Sequence, residues 1–144
     1  MQLLDIAFRS KSRAPMQTKL ETMVSKVAGV EDDFRGKPGK RQVTVLSVKQ
    51  WQLACDEVQT TLPWTLRRAN LLVDGVSFDS SMVGQQIKIG RLILLITREA
   101  DPCPRMDAQH QGLTQALTPD WRGGACCRVI ADGRIKVGDQ LIII

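Results

Sequence analysis

Hydrophobic residues in this chain fall mostly in short runs or alternate with polar residues, and they seldom recur at helical spacing. Such runs, separated by turns rich in glycine, proline and charge, predict a series of short β-strands. The predicted strands cover residues 3–9, 21–30, 41–46, 70–73, 85–89, 92–97, 125–131, 134–137 and 140–144. The most apolar run, Leu92–Ile96, predicts a buried strand in the centre of the sheet.

Two pairs of turn residues predict hairpins. Gly90-Arg91 separates strands 85–89 and 92–97, and Asp132-Gly133 separates strands 125–131 and 134–137. Because glycine readily adopts the backbone conformations of tight turns, each pair predicts that its flanking strands are antiparallel neighbours.

One stretch predicts a helix clearly. Ser47 followed by Gln50 resembles a capping box. The helical face that follows is mostly apolar and consists of Trp51, Ala54, Cys55 and Val58. Residues 107–117 are a second, more polar helical candidate. Many strands with few helices predict a mainly β fold, namely a single domain over residues 1–144 that forms a closed or nearly closed β-barrel with a few short helices. An open β-sandwich is the alternative.

Composition narrows the protein class. A length of 144 residues supports a hydrophobic core without disulfides. The N-terminus lacks a basic stretch and reaches Asp5 at once, so no secretory signal is expected. No window approaches the ~18 apolar residues of a membrane span. We therefore expect a cytoplasmic protein with no membrane association and four reduced cysteines. Without a Cys-x-x-Cys pair, and with His110 as the only histidine, no structural zinc is expected.

The formal charge of +5 suits an anionic ligand, a nucleic acid or solubility alone. Short basic clusters occur at residues 9–13 and 37–41. The chain has no tyrosine, and its tryptophans and phenylalanines are not interleaved with basic residues as a base-stacking surface requires. We therefore expect an anionic ligand rather than a nucleic acid.

The first candidate for chemistry is Cys103. It follows the apolar strand and lies between Pro102 and Pro104, which keep the segment stiff and out of a strand ladder. Nearby Arg98 and Arg105 would favour a thiolate, whereas the acidic residues before Pro102 would oppose it. The alternative is a small hydrophobic residue packed in a proline-rich turn.

The second candidate is the segment Arg67-Arg68-Ala69-Asn70. Arg68 and Asn70 stand two residues apart at the start of a predicted strand, so they are expected to share one face. The Arg68 guanidinium, with its forked pair of N–H donors, beside the Asn70 amide would suit an oxygen-rich anion such as a phosphate. With Arg67 and Arg98 they form the candidate cofactor-binding set. The alternative is a solvated strand edge with one arginine paired to a carboxylate.

Six segments, taken in order, resemble the MOSC domain, which is named for the C-terminal part of molybdenum-cofactor sulfurase. They are Arg41–Val45 before the tryptophan-containing helix, Arg68–Gly75, Val83–Gly90, Asp101–Cys103, Arg122–Gly124 and Ile135–Asp139. The resemblance covers nearly the whole chain from about Gly29 onward, and it implies a β-barrel with small helices. A loop that often contains Gly-Asp in the family reads Asp32-Asp33 here.

The resemblance implies two functions. In one branch, with the mitochondrial amidoxime-reducing component and bacterial reductases of N-hydroxylated bases, the domain binds molybdopterin. Cys103 would then ligate molybdenum, Arg68 and Asn70 would contact the cofactor, and a separate redox partner protein would supply electrons. In the other, Cys103 carries sulfur as a persulfide between a sulfur donor and an acceptor protein. A non-catalytic binding module with a basic surface is the third possibility.

Overall fold

The computed structural model describes all 144 residues, Met1–Ile144. Its strands are β1 (Gln2–Phe8), β2 (Gln17–Lys19), β3 (Glu21–Ser25), β4 (Gly29–Val30), β5 (Val43–Ser47), β6 (Leu71–Asp74), β7 (Gln86–Ile89), β8 (Leu92–Glu99), β9 (Ala125–Ala131), β10 (Gly133–Lys136) and β11 (Ile142–Ile143). Its helices are α1 (Val48–Glu57), α2 (Met106–Gln109) and α3 (Leu113–Leu117). None of them has the length and apolarity needed to span a bilayer.

The strands form two sheets. The larger has eight strands in the order β11-β7-β8-β9-β5-β6-β1-β2, and the smaller has the order β10-β3-β4. The larger sheet curls into a nearly closed barrel, which confirms the predicted mainly β fold with a few short helices. All pairs are antiparallel except β5 and β6, which α1 connects as parallel neighbours.

The interior of the barrel is apolar because inward positions alternate along each strand. Leu92, Leu94 and Ile96 of β8 are wholly buried, and β8 lies between β7 and β9 as predicted for a central strand. The smaller sheet contributes Val24 and Ile135 to the same core. One hydrophobic core therefore joins the two sheets.

The helices cover the outer face of the barrel. Leu46 of β5 and Leu72 of β6 point outward and pack with Trp51 and Cys55 of α1. Ser47 caps α1 as predicted, since its hydroxyl accepts from the Gln50 backbone N–H. The side chain of Gln50 does not close the capping box. It bridges the backbone of Phe78 and Asp120 instead, so the N-terminus of α1 is tied to two distant loops.

The predicted hairpin at Asp132-Gly133 is wrong. β10 pairs with β3, whereas both edges of β9 are already occupied by β5 and β8. The chain leaves the larger sheet at Asp132, whose carboxylate accepts from the Lys26 N–H at 2.7 Å. Gly133 then lies so close to Leu92 that a Cβ would approach the Leu92 nitrogen to 2.3 Å. The glycine permits close packing rather than a hairpin turn.

Other element boundaries also differ from prediction. The strand predicted over residues 21–30 is a hairpin of β3 and β4, which turns at residues 26–28. The helical candidate over residues 107–117 divides into α2 and α3 at Gly112, which has a positive φ of 87°. The last strand is shorter than predicted and pairs with β7.

Candidate functional site

A cavity of about 260 Å³ lies beside the barrel, where β1 ends and β5 and β6 begin. These three ends meet because β6 runs parallel to β5 and antiparallel to β1. The lining residues are Arg9, Met16, Asp33, Arg35, Arg41, Thr44, Arg67, Arg68, Asn70, Ala100, Asp101, Cys103, Arg105 and Met106. The cavity thus brings Cys103 together with Arg67, Arg68 and Asn70, four of the five residues singled out from the sequence.

Cys103 lies in the loop that follows β8 and is half-buried as a free thiol. Its carbonyl accepts hydrogen bonds from the Thr114 hydroxyl at 2.9 Å and from the Met106 N–H at 3.0 Å. Met106 is almost wholly buried among the residues that α1 and α3 cover. The loop is therefore anchored to the helical layer, while the cysteine faces the cavity.

Arg67 anchors the other side of this loop. It is buried, and its guanidinium donates to the carbonyls of Gly123 at 3.0 Å, Ala100 at 2.8 Å and Asp101 at 3.3 Å. Gly123 packs so tightly against Ala100 that a Cβ there would lie 2.3 Å from the Ala100 oxygen. Burial lowers the pKa of Arg67, and attraction to Cys103 opposes that shift. Arg67 lines the cavity, but the hydrogen bonds of its guanidinium hold the Cys103 loop against the start of β9.

Arg68 and Asn70 do not share a strand face, because neither residue belongs to a strand. Arg68 ends a 3₁₀ turn with a left-handed backbone, φ 62°, which is costly for a residue other than glycine. The Asn70 side chain accepts from the Thr44 N–H at 3.0 Å and donates to the Ala7 carbonyl at 3.2 Å. The Asn70 amide therefore joins β1 to β5, while the Arg68 guanidinium has no hydrogen-bond acceptor within the protein.

Four of the lining arginines were absent from the predicted binding set: Arg9, Arg35, Arg41 and Arg105. Arg105 was noted only for its proximity to Cys103, and the others fall in the basic clusters at residues 9–13 and 37–41 or in the polar loop between β4 and β5. The local sequence shows that these segments are basic, but it does not show that their arginines meet at one cavity. That convergence depends on contacts between segments far apart in the chain.

None of the six lining arginines forms an ion pair. The ion pairs of the protein are Lys19–Asp32, Arg134–Glu21 and Arg122–Glu57, all formed by residues that do not line the cavity. The two lining carboxylates, Asp33 and Asp101, leave the cavity strongly positive. Guanidinium groups without carboxylate partners around one cavity are chemically suited to hold an anion.

Arg98 is placed differently from the other predicted residues. It is exposed on β8, opposite Cys126 in the strand register, and does not line the cavity. The remaining cysteines are all buried: Cys55, Cys126 and Cys127. Burial raises the pKa of Cys126, against the attraction of Arg41, and it raises the pKa of Cys127 far above its usual range. Among the four thiols only Cys103 is partly open to solvent.

No three histidine, cysteine or carboxylate side chains gather into a metal-binding group. Cys103 is thus the only thiol that lines the cavity. A thiolate in this position can ligate a soft metal ion or carry a sulfur atom, provided that other groups on the ligand satisfy the arginines.

Comparison with known proteins agrees with this fold. The sequence matches the MOSC domain over residues 24–142. Among solved structures, YuaD from Bacillus subtilis is similar with a TM-score of 0.83 and 16% identity over 99% of this chain and 94% of that one. YiiM from Geobacillus stearothermophilus is similar with a TM-score of 0.79 and 15% identity over 99% and 74%. YiiM from Escherichia coli has a TM-score of 0.74 and 16% identity over 100% and 70%. Among curated protein sequences none matches this chain significantly.

Proposed function

The chain belongs to the MOSC domain family, and from that premise we propose that it binds a molybdenum cofactor in the arginine-lined cavity, with Cys103 as the protein ligand of the metal. One observation carries the proposal. The half-buried thiol of Cys103 and six arginines without ion-pair partners line the same cavity.

The donor set fits such a cofactor. A thiolate is the soft ligand that would suit molybdenum, and guanidinium groups bind phosphate oxygens through paired hydrogen bonds. Arg68 is the clearest candidate for the anionic part, because its guanidinium has no acceptor in the protein and its backbone is held in a strained conformation. Asn70 has both amide atoms engaged with the backbone, so it would shape the wall of the cavity.

The residues of this chain would hold the ligand and position the thiol. Arg67 and Thr114 fix the Cys103 loop from two sides, so the sulfur is held ready before any ligand arrives. When bound, a molybdenum centre supplies oxygen-atom and electron transfer, and reduction of N-hydroxylated substrates is the reaction class that we propose. Electrons would come from a separate redox partner protein.

Molybdenum loading tests the proposal. The protein and its Cys103→Ser variant would be produced in a host that makes the cofactor, and molybdenum and pterin would be quantified per protein chain. We expect stoichiometric loading of the unaltered protein and loss of molybdenum in Cys103→Ser, since a hydroxyl is not a soft ligand. Cys55→Ser is the matched control, because Cys55 is buried in the helical layer away from the cavity. Equal molybdenum in Cys103→Ser and the unaltered protein would refute the assignment.

A sulfur-carrier function is the second candidate, and the burial of the other three cysteines favours it. Only Cys103 is exposed enough to receive sulfur from a donor protein. In that case, protein without molybdenum would gain the mass of one sulfur atom at Cys103 after treatment with a cysteine desulfurase. If neither molybdenum nor sulfur is loaded, the domain is a binding module for anions.

A further inference from the structure

A second cavity lies beside α1, away from the cavity that contains Cys103. Its volume is about 440 Å³, and its walls include Leu53, Phe78, Asp79, Asp120, Trp121 and Arg122. It shares no lining residue with the arginine-lined cavity. Gln50, in the first turn of α1, also lines it, so it lies near the end of β5, whereas the arginine-lined cavity lies where β5 begins. We call this second cavity the α1 groove.

One wall of the α1 groove has an unusual backbone. Asp120 and Trp121 are both left-handed, with φ of 55° and 58°, a conformation that is unfavourable for most residues other than glycine. The buried amide of Gln50 ties this wall to the next one: it donates to the Asp120 carbonyl at 2.7 Å and to the Phe78 carbonyl at 3.0 Å, and it accepts from the Phe78 N–H at 3.0 Å. The groove is thus formed before any ligand arrives, which lowers the entropic cost of binding.

Arg122 leaves one edge of its guanidinium unused. Its Nη1 forms an ion pair with Glu57 and donates to the Ala116 carbonyl at 3.1 Å. Its Nε is a buried nitrogen without any hydrogen-bond acceptor, and its Nη2 donates to none either. The N–H groups of Nε and Nη2 lie parallel along one edge of the guanidinium, so they match the two oxygens of a carboxylate. Because a buried donor without an acceptor is unfavourable, a ligand that supplies the acceptor gains affinity.

The α1 groove also contains negative charge without a cation to balance it. Asp79 and Asp120 are exposed, and neither belongs to an ion pair of the protein. The indole ring of Trp121 lies beside them in the same groove. Carboxylates and an aromatic face both attract an ammonium group. The groove therefore offers a fork for an anion and, two residues away in the chain, a carboxylate for a cation.

We propose that the α1 groove binds a free α-amino acid with an apolar side chain. The fork of Arg122 accepts its carboxylate, and Asp120, with Asp79, accepts its ammonium group. Leu53 is 43% exposed in the groove, and with Trp121 it gives the apolar side chain a surface to cover. A simple anion would meet repulsion from the two aspartates, and a simple amine would leave the Arg122 fork empty, so a zwitterion matches the groove better than either.

This inference is independent of the proposed molybdenum site, because the two cavities have no lining residue in common. The full-length protein without molybdenum is therefore suitable for the test.

Proton–nitrogen correlation spectra of isotope-labelled protein, titrated with L-leucine, would locate the binding. The indole N–H of Trp51 donates to the Leu62 carbonyl, and that of Trp64 donates to the Asp5 carboxylate, whereas Trp121 lines the groove. We expect the indole signal of Trp121 to shift saturably and those of the other two tryptophans to stay in place. Loss of one indole signal in Trp121→Phe assigns it.

Two analogues of leucine separate the contributions of its charges. Isocaproate has the leucine side chain and carboxylate without the ammonium group, and isoamylamine has the side chain and ammonium group without the carboxylate. Each should bind at least about tenfold more weakly than L-leucine, since each loses charge-assisted hydrogen bonds.

Four variants test the residues. Arg122→Gln should weaken leucine binding at least about tenfold, because the fork is lost. Glu57→Gln is its matched control: it removes the same ion pair but leaves the fork, so it should bind leucine within about twofold of the unaltered protein. Asp120→Asn should weaken binding at least about threefold, and asparagine also tolerates a left-handed backbone. Asp56→Asn, on the exposed side of α1 and outside the groove, should leave binding unchanged.

Circular dichroism would establish that each variant is folded. If Arg122→Gln does not fold, Asp120→Asn and the two analogues decide the question. The proposal is overturned if L-leucine does not shift the Trp121 signal, if isocaproate or isoamylamine binds as tightly as leucine, or if a folded Arg122→Gln or Asp120→Asn binds leucine as the unaltered protein does.

Discussion

Replacement of Arg67 by methionine should destabilise the protein through the loop that carries Cys103. Methionine fills a similar volume but cannot donate hydrogen bonds. The carbonyls of Gly123, Ala100 and Asp101 would then lose their donor in a region where Ala100 and Gly123 are buried. Beyond the β8–β9 ladder, the loop after β8 would then be held to the segment before β9 by the Ala100 N–H bond to the Gly124 carbonyl.

The magnitude follows from the three distances. The bonds at 2.8 and 3.0 Å are well formed, and the one at 3.3 Å is weak. Hydrogen bonds to a charged group contribute about 1.5–3 kcal/mol each, so the two good ones represent about 3–6 kcal/mol. Burial lowers the pKa of Arg67, which shows that its charge is costly to bury, and removing the charge recovers part of that cost. We expect a net loss of about 2–4 kcal/mol from a total stability of about 5–15 kcal/mol.

Urea denaturation followed by circular dichroism would measure the loss. Arg91→Met, at an exposed turn, is the control and should change the free energy of unfolding by less than about 0.5 kcal/mol. If Arg67→Met is destabilised by less than about 1 kcal/mol, the three carbonyls do not depend on Arg67 and the reasoning fails.

Two further predictions concern the core and its thiols. Leu94→Asp should leave the protein unfolded by circular dichroism, because it places an unpaired charge at a wholly buried position of β8; a native spectrum would contradict the barrel interior described above. Burial raises the pKa of Cys126 and, far more, that of the wholly buried Cys127, so above about pH 8.5 Cys127 ionises in the unfolded chain and not in the folded one. Cys127 should therefore reduce the free energy of unfolding by about 1.4 kcal/mol per pH unit above that pH, and urea denaturation at increasing pH should show a smaller decrease for Cys127→Ala. If the free energy of unfolding depends on pH equally in the unaltered protein and in Cys127→Ala, this prediction is wrong.

The features predicted correctly from the sequence depend on neighbouring residues. The hairpin at Gly90-Arg91 and the buried strand Leu92–Ile96 follow from alternation and turn chemistry within about a dozen residues. The Ser47 cap likewise involves only residues three positions apart. Cys103 could be singled out because the prolines beside it and the strand before it are adjacent in the chain.

Which strands pair with each other was decided by the tertiary structure. Asp132-Gly133 has the composition of a hairpin turn, but β9 had no free edge, so β10 paired with β3 instead. The spacing of Arg68 and Asn70 predicted a shared strand face. In the structure Arg68 has a left-handed backbone, and β6 begins only at Leu71. The local preference of a few residues for a turn or a strand contributes little free energy compared with the hydrogen bonds and the buried area that strand pairing provides.

The cavity shows the same division. Its arginines come from the end of β1, the loop between β4 and β5, the segment between α1 and β6, and the loop after β8, and no short window of sequence contains more than two of them. The sequence by itself determined the net positive charge, most strands of the barrel and the position of Cys103 just after β8, because these follow from local composition and periodicity. Only the tertiary structure decided that Arg9 lies buried and unpaired beside Arg68, because that proximity depends on the pairing of β1 with β6 across more than sixty residues of chain.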